Sequence, residues 1–397
     1  MQRSVARIIR SVENIQVYRH LYACLYTAAM QHTHPPSEHR PLSRLARLVE
    51  ALIPAPTLDF WGARIAPAWS WHLPKAVIVG RETAAEGMVT LLLRPNRHWH
   101  GAAPGQHVNV SFEVDGRRVT RCYSPSAAPG RPGCIAITIK QIEGGRLSTA
   151  LCRSAKVGDV LDLGQAFGDM IPEAGNNAPL HLLAAGSGIT PMIAMVRALA
   201  ADGMPRDARL HYWARRPAEL GFVDELRALA RRHARFKVRF HLTQACARHE
   251  DESEGRIDAR SFATASDALA GSTVLACGPQ GFVDRARGLL AHRVETFMSE
   301  SFTPITARSE DDGDVSVTMA ASQRTLTVPR GTPLLAALEA LGVSVASGCR
   351  RGICNTCACE KRSGTSLDLL TGTSTRDAVS ALRLCVSAAA TDLVLEL

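Results

Sequence analysis

Four cysteines near the C-terminal end constrain the fold of this chain more than any other feature. Three have the spacing C-x4-C-x2-C and one follows further along: Cys349, Cys354, Cys357 and Cys385. This spacing is typical of a [2Fe–2S] cluster, because thiolates are soft ligands that bind iron. Gly348 and Gly352 lie in the same loop and let backbone N–H groups approach the sulfurs. The sequence therefore predicts a one-electron carrier.

A structural zinc site is the alternative use of such cysteines. Zinc ribbons usually contain two C-x2-C pairs, whereas this segment has one pair and an offset Cys349, so the cluster is favoured. The segment through Arg383 to Ser387 resembles plant-type ferredoxins, although Asn355 stands where that family more often has glycine. Cys359 is interpreted as a spare, packed thiol.

Length and charge limit the class of protein. A chain of 397 residues is too long for one ordinary core and predicts about two to four domains. The 46 Lys and Arg exceed the 37 Asp and Glu, but the surplus is spread along the chain, so no nucleic-acid partner is predicted. The apolar stretch 17–30 is interrupted by Arg19 and His20 and is too short to span a bilayer. Since no secretion signal is recognisable, the thiols are predicted to be reduced and the protein cytoplasmic.

Residues 1–73 are predicted to be a partly helical N-terminal extension. Leucines and a valine at helical spacing favour a helix over 45–52 that ends at Pro54 and Pro56, followed by a link with Trp61, Trp69 and Trp71. The segment before residue 40 has no assignable chemistry. It is either an amphipathic extension or, if Met30 is the natural start, an artefact of annotation.

Residues 74–173 have the pattern of a small antiparallel barrel. Short apolar runs between turn residues predict strands over 76–81, 88–93, 107–114, 135–139 and 160–163.

Within this region stand the motif Arg121-Cys-Tyr123-Ser124, then Lys140, then Gly144-Gly145-Arg-Leu-Ser148. Following Pro104-Gly105-Gln106, this set resembles the ferredoxin–NADP reductase superfamily, whose barrel binds flavin.

The resemblance implies a role for each barrel motif. Arg121 would face the flavin diphosphate, Tyr123 would stack on the isoalloxazine, and Ser124 would hydrogen-bond near N5. The turn from Gly144 through Gly145 to Ser148 would hold phosphate, Lys140 would also belong to the cofactor-binding residues, and FAD is favoured over FMN. Without its neighbours, Tyr123 would be better explained as a core tyrosine.

Residues 174–302 change to an alternation of strands and helices, which predicts a doubly wound α/β domain. A strand over 180–185 enters Gly186-Ser-Gly188-Ile-Thr190-Pro191 at the start of a helix, the arrangement that binds phosphate in Rossmann-like domains. The pattern G-x-G-x-x-P departs from G-x-G-x-x-G in the way the reductase superfamily does. By the same resemblance, Thr190 contacts both cofactors.

Two further segments complete the predicted nucleotide site. Cys277-Gly278-Pro279 ends a strand where open parallel sheets bind ligands, and the resemblance places Cys277 beside the nicotinamide, although a small buried thiol is the alternative. Arg215 and Arg216 follow the second strand and favour the 2′-phosphate of NADPH over NADH, unless they form a solvated turn.

Ser299-Glu300-Ser301-Phe302 resembles the Glu-x-Phe that closes such domains, with the aromatic ring against the flavin. Ser124, Cys277 and Glu300 are predicted to be catalytic.

A linker over 303–314 then leads to a ferredoxin domain over 315–397. The predicted fold is thus a flavin-binding antiparallel β-barrel, a doubly wound α/β nucleotide domain and an α+β, β-grasp-like domain. Because hydride carries two electrons and the cluster takes one, flavin must divide the pair. The resemblance implies a reductase, and the segment from Leu58 to Trp69 resembles reductases of membrane di-iron desaturases or hydroxylases, with oxygenase components as further partners. A redox-sensing or scaffolding protein without steady turnover is the alternative.

Overall fold

The computed structural model describes residues 53–173, 175–262, 269–303 and 313–397. The chain divides into a unit up to Trp61 and a unit from Gly62 to Leu397. The first described element is helix α1 (Ala55–Ile65), so the prediction that a link follows Pro54 and Pro56 is wrong. Proline is tolerated in the first turn of a helix, where its missing N–H has no partner to lose. The helix predicted over 45–52 lies outside the described residues.

The flavin domain is a seven-stranded antiparallel sheet in the order β4-β3-β7-β1-β2-β6-β5. Its strands are β1 (Lys75–Ala85), β2 (Met88–Pro95), β3 (Val108–Val114), β4 (Arg117–Tyr123), β5 (Pro125–Ala127), β6 (Ile135–Lys140) and β7 (Val160–Leu163). The edge strands β4 and β5 are joined by the single residue Ser124, so the sheet curls until its edges meet. Helix α2 (Arg146–Arg153) packs Leu147 and Leu151 into the core.

The sequence did not predict β4 and β5, although β4 carries two of the predicted flavin residues. β4 is mostly half-exposed and rich in arginine, so it has no apolar run to reveal it. Its pairing with β3 in full register makes it a strand.

The nucleotide domain is a parallel sheet in the order β11-β10-β9-β8-β12-β13. Its elements are β8 (Leu180–Ala185), α3 (Ile189–Ala201), β9 (Ala208–Ala214), α4 (Val223–Arg232), β10 (Phe236–Leu242), β11 (Glu252–Glu254), β12 (Thr273–Gly278), α5 (Gln280–Leu290) and β13 (Thr296–Ser301). Alternate residues of β8 point to opposite faces: Leu182 packs with α3 and α4, and Leu183 packs with α5. The doubly wound prediction is confirmed.

The C-terminal domain contains a mixed sheet in the order β15-β14-β21-β16-β19 and a small sheet in the order β18-β17-β20. The elements are β14 (Asp314–Met319), β15 (Arg324–Pro329), α6 (Leu334–Ala340), β16 (Ala358–Ser363), β17 (Ser366–Asp368), β18 (Ser374–Thr375), β19 (Val379–Arg383), β20 (Ser387–Ala389) and β21 (Leu393–Leu395). Cys357 and Cys385 belong to its apolar core, which anchors one end of the cysteine loop. Across the described ranges, no helix has the length and apolar character to cross a bilayer.

Candidate functional site

A buried hydrogen-bond chain joins the flavin domain to the nucleotide domain. His107 is fully buried, its Nδ1 lies 3.0 Å from the Ser124 hydroxyl oxygen, and its Nε2 hydrogen-bonds with the Glu300 carboxylate. Glu300 pairs in register with Cys277 across β13 and β12. The three residues predicted to be catalytic, which are far apart in sequence, therefore lie in one region.

Sequence reasoning missed His107. The available signal was its position directly after Pro104-Gly105-Gln106, in a segment already assigned to the flavin domain. The structure holds its backbone in an isolated bridge with Phe167. This bridge fixes the imidazole between the two domains.

Cys277 is a neutral thiol at the end of β12. Burial, and after it the nearby Glu300 carboxylate, raises the pKa of Cys277 well above the usual thiol value. A cysteine reacts as its thiolate, and the raised pKa keeps Cys277 protonated. Cys277 is therefore better suited to line the site as a small side chain than to react.

Arg121 and Tyr123 lie on β4 beside a second arginine. The Arg121 guanidinium donates to the Thr120 carbonyl over 2.7 Å, and burial, followed by the charge of Arg350, lowers its pKa. Among the described residues, no carboxylate lies within ion-pair distance of Arg121. Arg350 is already paired with Glu339, so Arg121 is the guanidinium that would bind a phosphate of the diphosphate. Burial also raises the pKa of Tyr123, so its ring stays neutral and suits stacking.

The glycine turn after β6 opens helix α2. Ser148 Oγ accepts from the Ile142 N–H over 3.3 Å and donates to the Gly145 carbonyl over 3.4 Å. The hydroxyl therefore braces the turn from inside, and the first N–H groups of α2 remain for an anion.

The four cluster cysteines form two pairs. The thiols of Cys349 and Cys354 each shift the pKa of the other, as do those of Cys357 and Cys385, so the members of each pair lie close together. A binuclear cluster needs two thiolates for each iron, so this donor set fits it.

Backbone donors surround the sulfurs as the sequence predicts. Sγ atoms accept from the N–H groups of Cys349, Arg351 and Gly352 at 3.2, 3.3 and 3.2 Å. Gly348 is required here, because a Cβ at that position would lie 2.9 Å from the Cys354 sulfur. Hydrogen bonds, first from Cys349, lower the pKa of Cys354 to about 4. That thiol is therefore prepared to act as a thiolate ligand.

A cleft of about 670 Å³ lies at the carboxyl ends of the parallel strands. We call it the sheet-edge cleft, and its lining includes Lys140, Gly186, Trp213, Arg215, Pro279 and Phe282. Lys140 thus lies at the nucleotide domain although its motif was assigned to flavin phosphate. Gly188 packs directly against the backbone of β12, since a Cβ there would lie 2.0 Å from the Cys277 carbonyl oxygen.

Arg215 and Arg216 are not free charges. Both donate to the carboxylate of Glu219, at 3.1 and 3.2 Å, and Arg216 also reaches Glu86 at 3.2 Å. Burial acts to raise the pKa of Glu219, but the hydrogen bonds from both arginines outweigh it and the pKa is lowered. Arg215 lines the sheet-edge cleft and Arg216 does not.

Comparisons with known proteins agree with these three domains. The chain matches an oxidoreductase FAD-binding domain over residues 76–170, an oxidoreductase NAD-binding domain over 182–288 and a 2Fe-2S iron-sulfur cluster binding domain over 317–390. The NADH oxidoreductase HCR of Escherichia coli is 32% identical over 66% of this chain and 77% of that protein. The chain belongs to the ferredoxin–NADP reductase superfamily. It is an NAD(P)H-dependent oxidoreductase with FAD and [2Fe–2S] domains.

Other relatives of the reductase match it over most of their own length. An NADPH oxidoreductase of Mycobacterium tuberculosis is 28% identical over 89% of this chain and 90% of that protein. The solved structure of phthalate dioxygenase reductase shares the fold, with a TM-score of 0.54 and 24% identity over 81% of this chain and 97% of that one. One relative is named for NADPH and another for NADH, so the names do not decide the nucleotide.

Proposed function

We propose that the reductase takes hydride from NADPH onto FAD and delivers single electrons through its cluster to an oxygenase, hydroxylase or desaturase partner. FAD supplies the step that divides a two-electron donor between one-electron acceptors. The observation that carries the proposal is a contact between the cluster loop and the segment of Ser301 and Phe302, whose aromatic ring the resemblance places against the flavin.

That contact is made by Arg351, the second residue after Cys349. Its backbone N–H donates to the Cys349 sulfur over 3.3 Å, and its guanidinium donates to the Ser301 carbonyl over 3.3 Å. The guanidinium also lies 4.5 Å from the centre of the Phe302 ring, and Phe302 packs edge-on against His107. A few side chains thus separate the proposed flavin site from a cluster ligand.

We assign the remaining site residues from their surroundings. Arg121 and the Gly144–Ser148 turn would bind the FAD phosphates, while Tyr123 and Phe302 would enclose the ring. Gly186, Gly188, Thr190 and Pro191 would hold the nucleotide phosphates with Gly278 and Pro279; the Thr190 hydroxyl donates to the Ser187 carbonyl over 3.1 Å and is buried.

Curated relatives support the oxygenase class of partner. They include the ferredoxin reductase component of 3-ketosteroid-9-alpha-monooxygenase from Mycobacterium tuberculosis, 31% identical over 66% of this chain, and a glycine betaine monooxygenase reductase subunit from Pseudomonas aeruginosa, 26% identical over 66%. The narrower proposal of a membrane di-iron desaturase or hydroxylase is supported by the resemblance of the segment from Leu58 to Trp69. We also propose a cytoplasmic location, because a thiolate-bound cluster needs reduced cysteines.

The test is an anaerobic absorption spectrum of the purified, cofactor-loaded chain titrated with NADPH. We expect the flavin and cluster bands to bleach in succession and to recover when a one-electron acceptor is added. A spectrum that stays oxidised with both NADPH and NADH would contradict turnover and favour the sensing or scaffolding alternative.

A further inference from the structure

The two arginines that sequence analysis assigned to the 2′-phosphate are already paired. Glu219 is buried, and its carboxylate accepts from both Arg215 and Arg216. Arg216 also pairs with Glu86, which lies in the turn between β1 and β2 of the flavin domain. Arg216 therefore connects two domains through its ion pairs with Glu219 and Glu86.

Two other arginines line the same cleft. Arg256 follows β11 and Arg285 lies on α5, and both are exposed. Within the described ranges, neither has a carboxylate within 4.0 Å. The acids closest to them in sequence are engaged elsewhere: Glu254 accepts from the Ala247 N–H, Asp258 pairs with Arg260, and Asp284 accepts from Gln280.

The position of these arginines separates them from the predicted phosphate turn. Lys140 approaches that turn, since its Nζ lies 3.7 Å from where a Gly186 Cβ would be. Arg256 instead follows the edge strand β11, and Arg285 lies one turn beyond Phe282. The cleft thus has Lys140 at the turn, Arg215 paired with Glu219, and further along Arg256 and Arg285, for which the described residues supply no ion pair.

The aromatic side chains of Trp213 and Phe282 also line the cleft. The rings of Trp213 and Phe282 lie 5.2 Å apart, and Trp213 is stacked on His241 at 4.1 Å. Flat apolar rings suit a nucleotide base, and a base placed there would bring its ribose phosphate close to the arginine rim.

We propose that Arg256 and Arg285 bind the ribose 2′-phosphate of NADPH and set the choice of nucleotide. This inference rests on the proposed function, since it deepens the nucleotide step. A phosphate dianion suits arginine because the planar guanidinium can donate two hydrogen bonds at once. Arg215 and Arg216 then serve to position Glu219 and the β1–β2 turn.

The experiment measures equilibrium binding of two probes, 2′,5′-ADP and 5′-AMP, to the FAD-loaded full chain by calorimetry. The variant carries Arg256→Ala and Arg285→Ala. We expect its affinity for 2′,5′-ADP to fall at least about tenfold and its affinity for 5′-AMP to change less than about twofold, because only the first probe carries the 2′-phosphate. Arg260→Ala is the matched control, since its side chain is 93% exposed in the same loop.

Three results would overturn the inference. They are unchanged 2′,5′-ADP binding in the double variant, equal loss of both probes, and a wild-type protein that binds 5′-AMP as tightly as 2′,5′-ADP. A variant with Arg256→Lys and Arg285→Lys should keep part of the affinity, which separates charge from folding. Failure of the proposed function is seen separately, as a flavin that neither NADPH nor NADH bleaches.

Discussion

At the scale of single residues, His107 holds together groups that the sequence places far apart. One imidazole bridges a hydroxyl of the barrel and a carboxylate of the nucleotide domain, and it is fully buried. Buried polar groups are costly when unpaired, so the three side chains depend on each other.

His107→Ala should lower the free energy of unfolding by about 2–4 kcal/mol, because it leaves the Ser124 hydroxyl and the Glu300 carboxylate without their partner. Urea unfolding of the FAD-loaded protein measures the change. His249→Ala is the control, since that side chain is 60% exposed and should change the value by less than about 0.5 kcal/mol. Equal stability of both variants would contradict the bridging role.

A second prediction at this scale concerns the cluster ligands. Cys354→Ser should remove iron and sulfide, because a hard hydroxyl replaces a thiolate. Flavin content and reduction of ferricyanide by NADPH should persist. The control is Cys359→Ser, because Cys359 lies outside the C-x4-C-x2-C spacing and packs against the apolar core of the C-terminal domain. Full iron content in Cys354→Ser would show that the ligand assignment is wrong.

At the scale of elements, the turn between β8 and α3 depends on close packing against β12. Gly188 leaves no space for a side chain, because its Cβ would meet the backbone of Cys277. Backbone cannot move aside as a flexible side chain can, so the two parallel strands would have to separate.

Gly188→Ala should therefore destabilise the nucleotide domain by more than about 3 kcal/mol and abolish binding of 2′,5′-ADP, while FAD stays bound to the barrel. Thermal unfolding and calorimetry measure the two effects. Gly288→Ala in α5 is the matched control: a Cβ there has nothing within 4 Å, and alanine favours the helix by up to about 1 kcal/mol. Normal nucleotide binding in Gly188→Ala would contradict the packing argument.

At the scale of the whole molecule, the cluster loop contacts the flavin domain as well as Ser301 and Phe302 of the nucleotide domain. The Asn109 amide donates to the Thr356 hydroxyl over 3.3 Å, and that hydroxyl donates to the Cys354 sulfur over 3.1 Å. Together with Arg351, this gives one cysteine pair two connections to the rest of the enzyme. These contacts are polar and few, so they orient the ferredoxin domain with only modest energy.

Arg351→Ala should slow the transfer of electrons from flavin to cluster by about 5- to 30-fold, since it removes about 1–2 kcal/mol of cation–π and hydrogen-bond contact. Stopped-flow absorbance separates this step from flavin reduction by NADPH, which should stay unchanged, and iron content should be normal. Arg324→Ala, a substitution on the exposed start of β15, is the control. A normal transfer rate in Arg351→Ala would show that these contacts do not position the cluster.

Local sequence determined much of this protein. The cysteine spacing predicted the ferredoxin domain, and the change from period-two runs to strand–helix alternation predicted the barrel and the doubly wound sheet. These features can be predicted from sequence because a cysteine loop that binds a cluster, a glycine turn and a buried parallel strand each need particular residues within a short stretch. The strand from Val160 to Leu163 and the strand from Leu180 to Ala185 have the predicted bounds.

Tertiary structure alone decided which side chains meet. The sequence presents Arg215 and Arg216 as two adjacent cations with Glu219 a few residues further on, and only the fold brings Glu86 of the flavin domain against Arg216. In the same way, nothing near His107 in sequence indicates Glu300, since the two come from different domains. Charge balance and hydrogen bonding depend on distance in space, and the folded chain sets that distance between residues that the sequence separates.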